Sequence, residues 1–310
     1  MKKEMKNSRT QMPGSSKSMF VLLLILMLTG FTDSVAANSG LLNNTLNKIT
    51  FNTADYPVLR FSLERKKPEF SLNPPSSFAL EHYMPPIGNQ SDVGSCVGWA
   101  SAYYGLSIVK RIEGGSTAPA FSPWSLFNRY SYMHGKRPCS SGAEIDDCLQ
   151  ILKSKGCATE KEYKIPYCAI DKNKSKYNNK LYGFQRLQHK SALQIKSSIA
   201  SQNPVVIGIK IFSGGMGNSM NSKFLDSNGI IKMEFFRDKS YADGLHAMCI
   251  VGYDDNIGGG AFKIANSWGK EWGKDGFCWL RYSDLNVLVS AYSLQARPEE
   301  KSKKPARAAK

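Results

Sequence analysis

An α+β architecture in two lobes follows from three features of this chain. Between residue 96 and Gly156 the apolar residues recur at helical spacing, whereas after Pro204 they gather in short runs of strand length. Helical segments followed by extended ones separate into a mainly helical lobe and a strand-rich barrel or sheet, with a cleft where the two meet. At 310 residues and 42% hydrophobic content, the chain can bury one sizeable core or two small ones.

The elements follow in order. Residues 1–18 carry Lys2, Lys3, Lys6, Arg9 and Lys17 against Glu4, and residues 19–31 (MFVLLLILMLTGF) are almost wholly apolar. Those thirteen residues fall short of the ~20 that span a bilayer, Asp33 ends the run, and Val35-Ala36-Ala37 offers a small-x-small cleavage site. Residues 1–37 therefore read as a secretory signal peptide, which places the chain in a secreted or periplasmic location with no stable membrane span. Residues 38–73 have mixed charge, a few apolar side chains such as Phe51, Tyr56 and Phe61, and a proline-rich exit at Pro68, Pro74 and Pro75. They read as a short pro-segment or an N-terminal extension.

A helix is predicted from Cys96 to about Arg111, broken by Gly114-Gly115, and another over residues 122–133, with Ser122 as cap and Pro123 at its first position. Residues 143–155 place Ile145, Cys148, Leu149 and Leu152 on one helical face, closed by Gly156. Strands are predicted in VVIGIKIF, GIIKMEFF, HAMCIVGY, AFKIANSW, GFCWLRY and VLVSAYSL, all after Pro204. The formal charge of +16 is unevenly held, with +4 in residues 1–18 and +4 in a basic tail at 297–310 whose composition predicts disorder. The remaining excess suits acidic substrates, anionic surfaces or plain solubility. No nucleic-acid-binding motif is present, no cofactor is implied, and the oligomeric state is left open.

Seven cysteines in an exported chain permit disulfides. Cys139, Cys148, Cys157 and Cys168 cluster, so pairs among them are expected with the connectivity open. Their spacing contains no C-x-x-C pair and argues against zinc. Cys249 and Cys278 sit inside apolar strand runs and read as buried thiols.

The chemistry gathers around residues 88–101, GNQSDVGSCVGWAS. A polar loop leads to Cys96 at the start of a helix, where unpaired N–H groups and the helix dipole favour thiolate and predict a lowered thiol pKa. His246 lies in GLHAMCIVGYDD and Asn266 in FKIANSWGKEWGKDGFCWLRY, each at the edge of a predicted strand. Cys, His and Asn in that setting match the nucleophile, base and orienter of a thiol hydrolase. His82, His134 and His189 lack a partner motif and read as surface residues.

With Gln90 six residues before Cys96, HA-x-x-IVGYD around His246 and NSWG-x-x-WG around Asn266, residues 74–296 resemble the papain-like cysteine peptidases. The resemblance implies a papain-like two-lobe fold, a helical lobe plus an antiparallel β-barrel-like lobe with the active site in the cleft between them. It implies peptide or protein substrates and no metal or cofactor. Cys96, His246 and Asn266 would be the catalytic residues, the side-chain amide of Gln90 and the Cys96 backbone N–H would bind the oxyanion, and Trp268 and Trp272 would support the site. Val97 and Val93 depart from the family, which usually has an aromatic residue after the nucleophile and a cysteine three before it. One common disulfide therefore cannot form, and Trp99 would supply the missing aromatic bulk. Two rival readings are an inactivated fold used for binding and another thiol amide hydrolase or transamidase. Retention of Gln90, Cys96, His246 and Asn266 together argues against the first, and NSWG with an amide third member against the second.

Overall fold

The computed structural model describes residues 73–137, 139, 141–172, 177–211, 224–233 and 244–297. The segments read above as a signal peptide, most of the segment at 38–73, and all but the first residue of the tail lie outside these.

The helix that begins at the nucleophile, α1, is continuous from Cys96 to Gly114 but not uniform. It is α-helical over Cys96–Gly98, π-helical over Trp99–Leu106 and α-helical again over Ser107–Gly114. Gly115 ends it at a φ of 97°, a left-handed value that glycine adopts without steric cost. All eight residues of the π-helical part are buried, because the helix lies between two cores. Trp99, Tyr103, Tyr104 and Ile108 belong to one, and Val97, Ala100, Ala102, Leu106 and Val109 to the other. A helix apolar all round is what such a position requires.

Helix α2, Pro123–Met133, starts as predicted: Ser122 Oγ accepts from the Ser125 N–H at 3.3 Å and Pro123 fills the first helical position. A cap of this kind contributes about 1 kcal/mol. Helix α3, Ile145–Ser154, buries Ile145, Cys148, Leu149 and Leu152 on one face. Each large aliphatic side chain there is worth about 1.5–3 kcal/mol of burial. Gly156 follows at φ 74°, where a Cβ would lie 2.4 Å from the Tyr177 carbonyl oxygen, so the stop needs glycine for two reasons. Helix α4, Ala192–Ala200, was not predicted; Ser191 caps it through the Gln194 N–H.

Among the described residues, seven strands form one antiparallel sheet: β1 (Ser77–Ala79), β2 (Gly183–Arg186), β3 (Val205–Ile211), β4 (Gly244–Asp254), β5 (Ala261–Ala265), β6 (Phe277–Arg281) and β7 (Leu288–Gln295). Their order is β2-β7-β3-β4-β5-β6, with β1 paired to β4. β1 and β2 precede the region where strands were expected, so the order of helices then strands is not strict. The described part of GIIKMEFF forms only isolated bridges, Leu225 with Ile231 and Ile230 with Trp279; residues 234–236 lie outside the described set. In β3, Val205, Ile207 and Ile209 face one core and Val206 the other, which is why that strand reads as an unbroken apolar run.

Within the cysteine cluster the open connectivity resolves to one disulfide, Cys139–Cys168, with Cα atoms 5.2 Å apart. Closing its loop of 29 residues contributes about 3–4 kcal/mol. Cys148 and Cys157 are buried thiols, as are Cys249 and Cys278, whereas Cys96 is partly exposed.

Candidate active site

Three segments converge at the start of α1. Ser95 and Cys96 open the helix, with the Trp99 N–H donating to the Ser95 carbonyl at 3.2 Å. Residues 88–90 run alongside residues 267–269: the Gln90 N–H donates to the Ser267 carbonyl at 2.8 Å, and the Gly269 N–H to the Gly88 carbonyl at 3.0 Å. Gly88 lies directly on α1, since a Cβ on it would come within 2.0 Å of the Trp99 ring. Trp99 is thus a packing residue that also stacks edge-on to Tyr103 and Trp124.

His246 near the start of β4 is buried, and its Nε2 meets Asn266 Oδ1 at 2.8 Å. The Ser267 backbone N–H also donates to Asn266 Oδ1 at 2.8 Å, which identifies that atom as oxygen, because two nitrogens cannot pair there. Nε2 therefore carries a proton, and Nδ1 is the nitrogen left to accept one. The Trp268 ring covers the imidazole, centroids 4.5 Å apart, and Trp272 meets Trp268 edge-on at 5.6 Å.

Cys96 and His246 both line a cavity of about 570 Å³, with Val97, Ile145, Ala247 and Tyr292 among its apolar walls and Lys136, Glu144, Asp146 and Arg186 among its polar ones. A larger cavity of about 1020 Å³, along Lys110, Glu113 and Asn203, contains none of the predicted site residues. Gln90 is buried and held at both ends of its amide: Oε1 accepts from Ser267 Oγ at 2.6 Å and Nε2 donates to the Val93 carbonyl at 2.8 Å.

The electrostatics differ from the expectation of a thiol lowered by its helix position. Burial pushes the Cys96 thiol up; backbone groups of Ala247, Val97 and Cys96 pull the other way but are outweighed. Burial also lowers His246 to about 4, against the opposing effect of its hydrogen bond to Asn266. Either charge alone is disfavoured here, so charge separation depends on the two forming together.

Of the six residues expected at the site, Cys96 opens α1, Gln90 lies in the segment paired with residues 267–269, His246 is in β4, Asn266 and Trp268 lie together in the loop after β5, and Trp272 follows in the same loop. Two others that hold them were not anticipated: Ser267, whose hydroxyl fixes the Gln90 side-chain oxygen, and Tyr104, whose hydroxyl donates to the Asn266 backbone carbonyl at 2.8 Å and accepts from the Gly88 N–H at 3.1 Å. Ser267 sits inside the NSWG motif, where its position beside Asn266 was a signal. Tyr104 lies in an all-buried helix face that carries no such sign. Of the other histidines, His82 and His134 are exposed and His189 is half-buried.

A sheet with helices packed on it, and a cysteine, a histidine and an asparagine brought to the junction, define a thiol-hydrolase architecture. Residues 75–293 match the model of the papain family cysteine proteases, and the chain belongs to that family. It is 26% identical over 200 residues to a cathepsin L-like proteinase of Fasciola hepatica, covering 63% of this chain and 56% of that one. To cathepsin K of Mus musculus it is 25% identical over 227 residues, covering 71% and 64%. The chain thus spans less than two thirds of the length of either relative. The fold is shared with xylellain, a cysteine protease from Xylella fastidiosa, at a TM-score of 0.58, 23% identity and coverage of 73% and 87%. It is also shared with the Amb a 11 ragweed pollen cysteine protease in its proform, at a TM-score of 0.54, 20% identity and coverage of 73% and 66%.

Proposed function

We propose that this chain is a cysteine peptidase whose catalytic domain is residues 74–296, hydrolysing peptide bonds through Cys96, His246 and Asn266. The observation that carries the reading is the 2.8 Å contact between His246 Nε2 and Asn266 Oδ1, which leaves Nδ1 as the accepting nitrogen of a histidine that shares one cavity with Cys96. In the first step the thiol proton passes to Nδ1 and the sulfur attacks the scissile carbonyl. The resulting imidazolium and thiolate offset one another in a site where burial disfavours either alone. An amide is enough to orient the ring, because the imidazolium already faces a counter-charge. The second N–H of the Gln90 amide and the Cys96 backbone N–H are the donors for the developing oxyanion. Collapse of the tetrahedral intermediate returns the proton to the leaving amine and leaves a thioester on Cys96, which water then hydrolyses with His246 as base.

The substrates are peptides or proteins, one side chain of which the 570 Å³ cavity would receive against Val97, Ile145 and Ala247. Export of the chain is supported by the basic, apolar and small-residue order of residues 1–37. No helix among the described residues is long and apolar enough to cross a membrane. Turnover of a peptide library by the parent, absent in folded Cys96→Ala and His246→Ala proteins, is the expected result. Near-native turnover in Cys96→Ala would refute the assignment. Intact mass of the extracytoplasmic protein tests export, with cleavage near Ala36 or Ala37 expected and a full-length membrane-bound species contradicting it.

A further inference from the structure

One oxygen atom joins the three segments of the site. Tyr104 lies on the π-helical part of α1, eight residues after Cys96, and is 1% exposed. Its hydroxyl donates to the Asn266 carbonyl at 2.8 Å and accepts from the Gly88 N–H at 3.1 Å. The helix that begins at the nucleophile is thereby tied to the loop whose amide holds His246 and to the segment that carries Gln90 two residues on.

We propose that Tyr104 is a positioning residue, whose hydroxyl sets the separation between the nucleophile, the imidazole and the oxyanion donor. The inference rests on the proposed function above. A hydroxyl buried this deeply costs free energy unless it is paired, and a phenylalanine would fill the same volume without that cost. Both of its bonds go to backbone groups beside residues of the reaction. Apart from this bond Asn266 is held by its own N–H on the Gly276 carbonyl at 3.0 Å and by its side-chain oxygen, which accepts from His246 and from the Ser267 N–H, so Tyr104 supplies the anchor of its backbone carbonyl. Gly88 is pressed against Trp99 on one side and bonded to Gly269 through its carbonyl, leaving its N–H to Tyr104.

The adjacent Tyr103 supplies a control made by the fold itself. Its hydroxyl also crosses from α1 to the segment before the site, donating to the Pro86 carbonyl at 2.9 Å, but it makes no hydrogen bond to residues 266–268. Loss of a hydrogen bond between α1 and the preceding segment is common to Tyr103→Phe and Tyr104→Phe; loss of the Asn266 anchor belongs to Tyr104→Phe alone.

The test uses the full chain, with kcat and KM on one peptide measured per titrated Cys96 so that unfolded protein is not counted. It also follows the pH profile of Cys96 alkylation by iodoacetamide. A small misplacement of reacting groups can cost ~10²-fold, so Tyr104→Phe is expected to lower kcat about tenfold or more with KM within about twofold. It should also shift the alkylation profile, because the orienter of His246 has moved, whereas Tyr103→Phe should leave both near the parent. Incorporation of 3-fluorotyrosine at 104, which keeps both bonds, should hold kcat within about twofold of the parent by the same reasoning. Tyr104→Phe that matches the parent or Tyr103→Phe, or a fluorotyrosine protein as impaired as Tyr104→Phe, would overturn the inference. If folded Cys96→Ala at equal protein concentration does not hydrolyse the same peptide, that failure concerns Tyr104 alone; if Cys96→Ala retains turnover, the proposed function falls and the inference with it.

Discussion

Gln90→Ala separates transition-state binding from every other use of this residue. Gln90 reaches its position before any substrate arrives, with Oε1 on Ser267 Oγ at 2.6 Å, Nε2 on the Val93 carbonyl at 2.8 Å and its backbone N–H on the Ser267 carbonyl at 2.8 Å. A donor fixed in this way needs no reorganisation when charge develops, so the full value of an oxyanion contact is expected, ~10²–10³ in kcat or ~2.7–4 kcal/mol. KM should change little, because the interaction is made in the transition state rather than with the ground-state carbonyl. Ser267→Ala removes one of the three restraints and leaves the donor in place. Its cost should be that of one neutral hydrogen bond, about 0.5–1.5 kcal/mol, or roughly two- to tenfold in kcat. Steady-state kinetics on a peptide and alkylation by iodoacetamide, which forms no oxyanion, distinguish the outcomes. Gln90→Ala that loses alkylation and turnover in equal proportion would show that the residue supports the loop or the thiolate instead.

Two further outcomes follow from burial. Cys96→Ala leaves His246 buried and removes any thiolate partner, so NMR titration of this variant should place His246 at about 4, below the ordinary imidazole value of ~6.5. As pH falls from ~6.5 toward about 4, the unfolded Cys96→Ala chain binds a proton there that the native one resists, and stability should decline through that window. A His246 midpoint at or above ~6.5 in this variant would contradict the burial argument. At the other end, burial pushes Cys157 and Cys278 up to about 12 and raises Cys148 and Cys249 as well. Unfolded thiols lose their protons near ~8.5 while the native ones keep theirs, so urea midpoints should fall as pH rises above ~8.5. Replacing Cys157 and Cys278 together with alanine should flatten that dependence, and an unchanged slope would refute it.

The motif residues were legible because their chemistry is local in the chain. Gln90 and Cys96 share one short stretch, His246 sits near the head of an apolar strand, and Asn266 closes another. Ser122-Pro123 and the stripe of Ile145, Cys148, Leu149 and Leu152 were equally plain, since capping and helical spacing need only neighbouring residues. Elements that depend on distant partners were not. β1 is three residues long and is a strand because Phe78 pairs with Tyr253; β2 exists by pairing with β7; α4 offers only Ile195 and Ile199 as an apolar pair. The π-helical part of α1 and the bridging hydroxyl of Tyr104 arise from packing between two cores, which no local pattern encodes. The thiol was expected low from its helix position, and that pull from its own and the Val97 backbone is present, but desolvation is a tertiary quantity and outweighs it.

The central claim, that Cys96 is the nucleophile, is tested most directly by stoichiometric labelling of the native protein with iodoacetamide, followed by peptide mapping and a turnover assay on the same sample. Five cysteines are outside the disulfide, and of these Cys96 alone is partly exposed while Cys148, Cys157, Cys249 and Cys278 are buried. One adduct, on Cys96, with peptide hydrolysis lost in proportion to its occupancy, is the result predicted. Hydrolysis that survives complete modification of Cys96, or inactivation that tracks an adduct on another cysteine, would contradict the account.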